Sequence, residues 1–479
     1  MNFKTIINIL AALLMVMGLS MLFPLIISYL YSEPDFSGHL KSSVLCLLVG
    51  LPLWFITRKS RALSSKDGFT IVSLAWLLVA LTGTFPFYFT DSISSFTDAW
   101  FESMSGVTTT GSTILIDIES LPHGVLFWRS FLQWIGGMGI IVFTIAILPL
   151  LGVGGVQLFK AEVPGPVADK IRPRVKETAK ILWMVYIGFT IVETILLSVF
   201  GMPLFDAVCH SFTTMPTGGF STQNASIGAY DSVAIHYTVI LFMFIAGANF
   251  TLHFRALSGN LKGYIRDSEF LTYFGIIMIA TLLIFINVTS QNNNWSHDSY
   301  LSSLFQTVSI ITTTGYGTAD YELWPFFSQF LIIILMFVGG MGGSTGGGMK
   351  VARVILLIKF AATETRRMLH SRAIIPIRIG SRFISEDVIR NTLGFFLIYI
   401  SIFTFTTLTL TLLNLDFESA FGAAASAIGN IGPGLGAYGP TDNYSLLHPF
   451  GKWMLSFCML LGRLEIFTIM VLFSRTFWK

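Results

Sequence analysis

The 479-residue chain is 53% hydrophobic and 11% charged, with 44 phenylalanines and a formal net charge of +3. Soluble globular proteins carry roughly 25% charged residues, so a water-soluble enzyme is excluded and no stretch is polar enough to form a separate aqueous domain. The composition is that of an all-α polytopic membrane protein, with the lipid bilayer as its surroundings and no nucleic acid as a partner.

Residues 5 to 31 form an apolar run too long for a signal-peptide core, which predicts a retained span. A second span over about 40 to 57 returns after a loop holding Glu33 and Asp35. Together they make an accessory hairpin, residues 1–67.

Four units of the form span, short segment, span follow. The first, 68–160, uses about 68–91, 95–107 and 124–150. The second, 161–266, uses about 178–200, 203–214 and 233–257. The third, 267–380, uses about 270–289, 299–311 and 326–359, and the fourth, 381–479, uses about 388–414, 417–428 and 447–474. The short segments cannot cross ~30 Å of hydrocarbon, which needs about 20 helical residues, and irregular backbone at that depth is tolerated only against protein or water. Ten crossings with four re-entrant half-helices around one aqueous axis are therefore expected.

The loop after each short segment is rich in Thr and Gly. Thr108 to Thr113, Met215 to Thr222, Thr312 to Thr318 and Gly429 to Gly434 recur with intervals of 107, 97 and 117 residues between Gly111, Gly218, Gly315 and Gly432. A single such loop is an ordinary turn, but repetition at a fixed place in each unit marks an internal repeat. A dehydrated K⁺ needs several oxygens at once, which carbonyls from four loops around one axis can supply. The C-terminal ends of the preceding half-helices favour a cation there. The candidate ligands are Thr109, Thr110, Gly111, Thr217, Gly218, Thr313, Thr314, Gly315, Asn430, Ile431 and Gly432. The loops are unlike one another, so fewer complete ion sites are expected than in a symmetric tetramer.

Charge supports this topology. Of 29 Lys and Arg, 25 fall on one side, which the positive-inside rule makes cytoplasmic, and the four loops then face outward. The outer loops, about 91–123, 201–236, 290–325 and 414–451, hold no Lys or Arg but carry acids including Asp98, Glu102, Asp206, Asp320, Glu322, Glu418 and Asp442. Such a mouth concentrates cations, unless the bias only reflects the topogenic exclusion of Lys and Arg.

The span over 326–359 is interrupted by Gly339, Gly340, Met341, Gly342, Gly343, Ser344, Thr345, Gly346, Gly347 and Gly348. Each glycine costs about 1 kcal/mol relative to alanine in a helix, so the span breaks there into a loop. Below the filter-like loops it would obstruct the pore as a gate. An anion nest and close small-residue packing are the competing readings. Gly342 to Gly346 also fits Gly-x-Ser-x-Gly, but it lacks the strand-to-helix setting of a nucleophile elbow, and no enzyme activity is expected.

Three further residues lie deep. Arg463, near the middle of the last span, costs about 2.5 to 3.5 kcal/mol on insertion scales unless it faces protein or water. It can pair with a carboxylate on another helix or project into the pore, and the two do not exclude each other. Glu193 and Glu465 are the deep carboxylates that a proton-coupled symporter would use, the alternative to a channel-like path. Cys46, Cys209 and Cys458 have no ligand-like spacing and read as packed thiols.

These four repeats, their loops and the glycine-rich interruption resemble the Trk/Ktr/HKT superfamily of K⁺ transporters. The N-terminal hairpin, the stretch Gln133 to Gly139 and the stretch Ala161 to Pro166 are similar to the bacterial TrkH/TrkG branch. The resemblance implies pseudo-fourfold repeats around one pore, a homodimer with a pore in each subunit, and K⁺ uptake across the bacterial inner membrane. It also implies a cytoplasmic ring of nucleotide-binding RCK subunits of the TrkA type, with no organic cofactor on this chain. It assigns the filter glycines to Gly111, Gly218, Gly315 and Gly432, the intramembrane loop to 339–348 and the pore arginine to Arg463. Gly111 stands where some Na⁺-preferring relatives carry Ser, which points to K⁺.

Overall fold

The computed structural model describes residues 1–58, 64–142, 171–292, 295–369, 375–380 and 382–478. The stretch Ala161 to Pro166, the boundary at 160 and 161, and the end of the span predicted over 124–150 lie outside them. The accessory hairpin is α1 (Phe3–Ser20), α2 (Leu22–Tyr31) and α3 (Phe36–Ile56). The expected first span is one apolar stretch, Phe3–Tyr31, in which a turn at Met21 separates α1 from α2. The pair α1 and α3 packs on α4 (Ser65–Phe89), while α2 packs on α6 (His123–Val142).

Each repeat contains an outer helix, a short buried helix and an inner helix. The first is α4, α5 (Phe96–Val107) and α6; the second is α7 (Ile171–Val199), α8 (Leu204–Thr214) and α9 (Val233–Ala246) with α10 (Phe250–Leu257). The third is α11 (Ser268–Asn292), α12 (His297–Ile311) and α13 (Phe326–Phe337) with α14 (Val351–Leu369). The fourth is α15 (Glu386–Leu412), α16 (Phe417–Gly429) and α17 (Pro449–Arg463) with α18 (Phe467–Met470).

Six spans pass as single long apolar stretches, one of them α1 with α2. The segments read as continuous spans over 233–257 and 447–474 are bent, α9 from α10 by 104° and the helices flanking Leu464–Ile466 by 107°. Asn249 causes the first bend by capping the amide of Thr251 with its side chain at 2.8 Å. At the second, Glu465 and Ile466 both take positive φ, 56° and 47°, which a continuing right-handed helix does not allow.

Three of the four short helices start at polar caps, and α8 starts after Pro203. Ser95 accepts from the Asp98 amide, Ser296 from that of Ser299 at 3.2 Å, and Asp416 from that of Ser419 at 3.0 Å, satisfying donors that a helix start leaves open. Each short helix leans on the inner helix of the preceding repeat: α8 on α6, α12 on α9, α16 on α13, and α5 on α17. The last of these contacts joins repeat one to repeat four, so the repeats close in a circle and their four loops meet at its centre.

Candidate functional site: a ring of four loops

Each short helix ends the same way. Thr109, Thr217, Thr313 and Asn430 adopt φ of 54°, 58°, 59° and 55°, the left-handed helix stop. The next amide then bonds back five residues: Thr110 to Ser105 at 2.8 Å, Gly218 to Thr213 at 2.8 Å, Thr314 to Ser309 at 2.9 Å and Ile431 to Ser426 at 3.0 Å. The residue after that is a glycine with φ of 88°, 77°, 80° or 108°, at Gly111, Gly219, Gly315 and Gly432.

This common geometry corrects the register read for the second loop. Gly219, not Gly218, is the counterpart of Gly111, Gly315 and Gly432, and Gly218 stands where the other loops have Thr110, Thr314 and Ile431. The physical reason is the helix end: α8 stops at Thr214 and Met215 and Pro216 precede the left-handed residue, whereas one residue, Thr108 or Thr312, intervenes in loops one and three.

The loops are mutual neighbours in cyclic order. A methyl group on Gly111 would meet the Gly218 carbonyl, on Gly219 that of Thr314, on Gly315 that of Ile431, and on Gly432 that of Thr110 at 2.9 Å. The backbone of each loop therefore passes so close to the next that only glycine fits. All four glycines line one cavity of about 120 Å³, together with Ser112, Thr113, Phe220, Ser221, Gly317, Pro433 and Asp442. These neighbours follow the glycines in sequence, so the cavity lies on the far side of the ring from the helix ends.

Each seam between loops has a different fastening. Between loops one and two, Arg129 of α6 donates to the Thr113 hydroxyl at 3.3 Å and the Ser221 carbonyl at 3.0 Å, while Gln133 of the same helix donates to the Gly218 carbonyl at 2.7 Å and accepts from the Phe220 amide at 3.1 Å. Between two and three, the Tyr316 hydroxyl shares hydrogen bonds with Thr213 at 2.5 Å and Thr214 at 3.2 Å. Between three and four, Tyr321 donates to the Gly434 carbonyl at 2.7 Å, and the Gly436 amide to the Glu322 carboxylate at 2.5 Å. Between four and one, the Asn430 amide donates to the Thr110 hydroxyl at 2.9 Å and the Ser112 hydroxyl to the Gly432 carbonyl at 2.9 Å.

The segment between α13 and α14 is irregular, as its glycines predict. It presses against the helix-end side of the ring. The Gly347 amide donates to the Thr313 hydroxyl at 2.6 Å, a methyl on Gly346 would lie 3.0 Å from the Thr312 carbonyl, and one on Gly347 would strike that of Gly429. Thr345 donates to the carbonyls of Met215 at 2.9 Å and Ala246 at 3.1 Å. Gly339 and Gly340 are tied at the loop's root, the Gly339 amide to the Met349 carbonyl at 2.9 Å and the Gly340 carbonyl to the Val351 amide at 3.2 Å. The Gly342 amide donates to Glu269 at 2.7 Å, Gly343 accepts from Phe250 at 3.1 Å, Ser344 folds back on Met341 at 2.6 Å, and Gly348 takes φ of 63°.

Arg463 is 2% exposed, and its guanidinium donates to the Thr345 carbonyl at 2.5 Å and reaches the Gly136 carbonyl at 3.4 Å. Among the described residues it makes no ion pair. Of the two alternatives open from the sequence, the carboxylate partner is absent there, and the arginine instead holds the glycine-rich loop. Glu465 pairs with Arg353 of α14, and Glu193 is fully buried beside Thr214 at the end of α8.

A family model described as TrkH, a cation transport protein, matches residues 38–479. This chain belongs to the TrkH family. It is 42% identical to the Trk system potassium uptake protein TrkH of Salmonella typhimurium over the whole of both chains. It is 34% identical to TrkG of Escherichia coli over 96% of each. The crystal structure of the potassium transporter TrkH from Vibrio parahaemolyticus superposes with a TM-score of 0.92 at 40% identity, again over all of both chains.

In this TrkH-family chain several outer acids have specific partners instead of a free charge. Glu102 is fully buried and paired with Arg129 at 2.9 Å, Asp98 with Lys452 at 2.5 Å, and Asp206 accepts from Thr222 at 2.7 Å. Glu102 is therefore not part of a cation-concentrating mouth. Asp442 does line the cavity, and Glu322 stands near Asp320, Asp442 and Glu418 at the seam of loops three and four. Arg129 is one of the four Lys and Arg outside the cytoplasmic set of 25, and Gln133 opens the stretch Gln133 to Gly139. Their spacing of four residues, which stacks them on one face of α6, is the signal that both serve the same loops.

Proposed function

We propose that this protein takes up potassium ions across the bacterial inner membrane through one gated, channel-like path per subunit. The observation that carries this reading is the closed ring of four loops, with a cavity on one side and the glycine-rich loop on the other. In this reading the backbone oxygens and hydroxyls of Thr109 to Gly111, Thr217 to Gly219, Thr313 to Gly315 and Asn430 to Gly432 replace the hydration shell of K⁺. Likeness to potassium uptake proteins over the whole chain supports the choice of ion.

The segment from Gly339 to Gly348 acts as the gate, held shut by Arg463. Its contacts with residues of the second, third and fourth loops support this role, because a plug must touch the ring it blocks. The charge of Arg463 adds an electrostatic barrier to a cation on the same path. In this reading the protein is a homodimer that assembles with a cytoplasmic nucleotide-binding RCK ring; the naming of its relatives as members of Trk systems supports partnership with other Trk components. The excess of Lys and Arg on one side supports cytoplasmic termini.

In the rival reading, symport with H⁺ or Na⁺, the ion pair with Arg353 occupies Glu465 and leaves Glu193 as the carboxylate a proton would use. Purified protein in liposomes decides between them. Under an imposed K⁺ gradient, K⁺ flux unaltered by a superimposed pH gradient is the expected result, and flux that requires inward protons overturns the channel reading.

A further inference from the structure

One seam of the ring is fastened by charge. Glu102 and Arg129 are 0% and 1% exposed at their side chains, and no other Lys or Arg ion pair among the described residues is buried so completely at both ends. The guanidinium of Arg129 donates to Glu102 at 2.9 Å, to the Ser221 carbonyl at 3.0 Å and to the Thr113 hydroxyl at 3.3 Å, and lies 4.3 Å from the centre of the Phe220 ring. Thr113 in turn donates to the Glu102 carboxylate at 3.0 Å, which also accepts the Ile114 amide at 3.0 Å.

Thr113 and Ser221 each stand two residues beyond a ring glycine, Gly111 and Gly219. One cation therefore holds the same point of two adjacent loops, at the level where the ring opens into the cavity. One turn down the same helix face, Gln133 ties α6 to the second loop alone, through the Gly218 carbonyl and the Phe220 amide. A buried ion pair is weak evidence for stability, because desolvation offsets its attraction. It does fix geometry, since the planar fork of arginine imposes both distance and direction, which a lysine cannot.

We propose that Arg129, oriented by Glu102, is a specificity-positioning residue that sets the spacing of the first and second loops and so the preference of the ring for K⁺ over Na⁺. This rests on the reading of the ring as a selectivity filter. The other seams are joined by hydroxyls, amides and a single carboxylate, so the first is the one fastened by a buried cation whose planar fork fixes both distance and direction. With the clamp loosened, the two loops can close on the smaller ion and Na⁺ gains relative to K⁺.

The test is the ratio of Na⁺ to K⁺ flux through purified protein in liposomes, for wild type, Arg129→Lys, Thr113→Val and the control Gly219→Ala. Thr113→Val removes one hydroxyl of the clamp and serves if Arg129→Lys does not reconstitute. The ratio is expected to rise about tenfold in either clamp variant, the lower range for one lost contact in discrimination, whatever becomes of the absolute K⁺ flux. A wild-type ratio in the clamp variant that reconstitutes, at any flux, overturns the proposal, because a purely structural loss lowers both ions together. If wild type does not discriminate, or Gly219→Ala discriminates as wild type does, the filter reading itself fails. If Gly219→Ala shifts the ratio and the clamp variants do not, only the role of Arg129 fails.

Discussion

Gly315 has φ of 80°, and a methyl group there would run into the Ile431 carbonyl of the adjacent loop. Left-handed backbone alone costs an L-residue roughly 1–2 kcal/mol, and the collision forces the third and fourth loops apart. Gly315→Ala is expected to cut Rb⁺ uptake by cells at least about tenfold, because 1.4 kcal/mol of misplaced ligand energy is a factor of ten. Wild-type uptake would contradict the close loop contact. Glu322 offers a residue-scale test by pH. Burial, reinforced by Asp320, Asp442 and Glu418 and opposed by the Gly436 amide, pushes its carboxyl from 4.5 up to about 6. The folded state then holds this proton more tightly than the unfolded one, so the contribution to stability is full below about 4.5 and is lost as pH rises to about 6. Any attraction of cations to the mouth by the ionised carboxylate, expected from the acidic outer loops, runs in the opposite sense. At low ionic strength, K⁺ uptake should fall as outer pH drops through about 6, and Glu322→Gln should flatten that fall; an identical profile in the variant would rule Glu322 out as its source.

At the scale of elements, the glycine-rich break and the short helices were legible because both are written in local composition. Seven glycines within 339–348 cannot be carried by helix propensity, whatever surrounds them. The register of the second loop was not legible. Thr217-Gly218-Gly219 offers two glycines to the same role, and only the backbone angles and the bond from Gly218 to Thr213 select Gly219. The bend after α9 was equally hidden, since Asn249 reads as one polar residue in an apolar run until its capping bond is seen. The partners of Arg129 lie on other elements, so no local pattern names them. The proposed gate belongs to this scale. Arg463 reaches the Thr345 carbonyl from α17, so Arg463→Ala is expected to raise K⁺ flux through the isolated protein in liposomes several-fold, as is removal of Gly346 and Gly347. A well-folded variant with unchanged or lower flux would refute the gate.

For the molecule as a whole, the decisive arrangement is circular. Each short helix rests on the inner helix before it, and each ring glycine touches the backbone of the next loop, until the fourth repeat meets the first. Four different sequences reach one backbone conformation because only that conformation, a left-handed residue followed two places on by a glycine, lets four helix ends converge without collision. Their unlike seams are what a single chain permits and a symmetric tetramer does not. The most direct measurement is a density map of the protein prepared in Rb⁺ or Tl⁺, compared with one prepared without either. Extra density is predicted on the axis enclosed by 109–111, 217–219, 313–315 and 430–432, above Gly346 and Gly347. A ring without ion density, with the heavy ion bound elsewhere in the protein, would contradict the account.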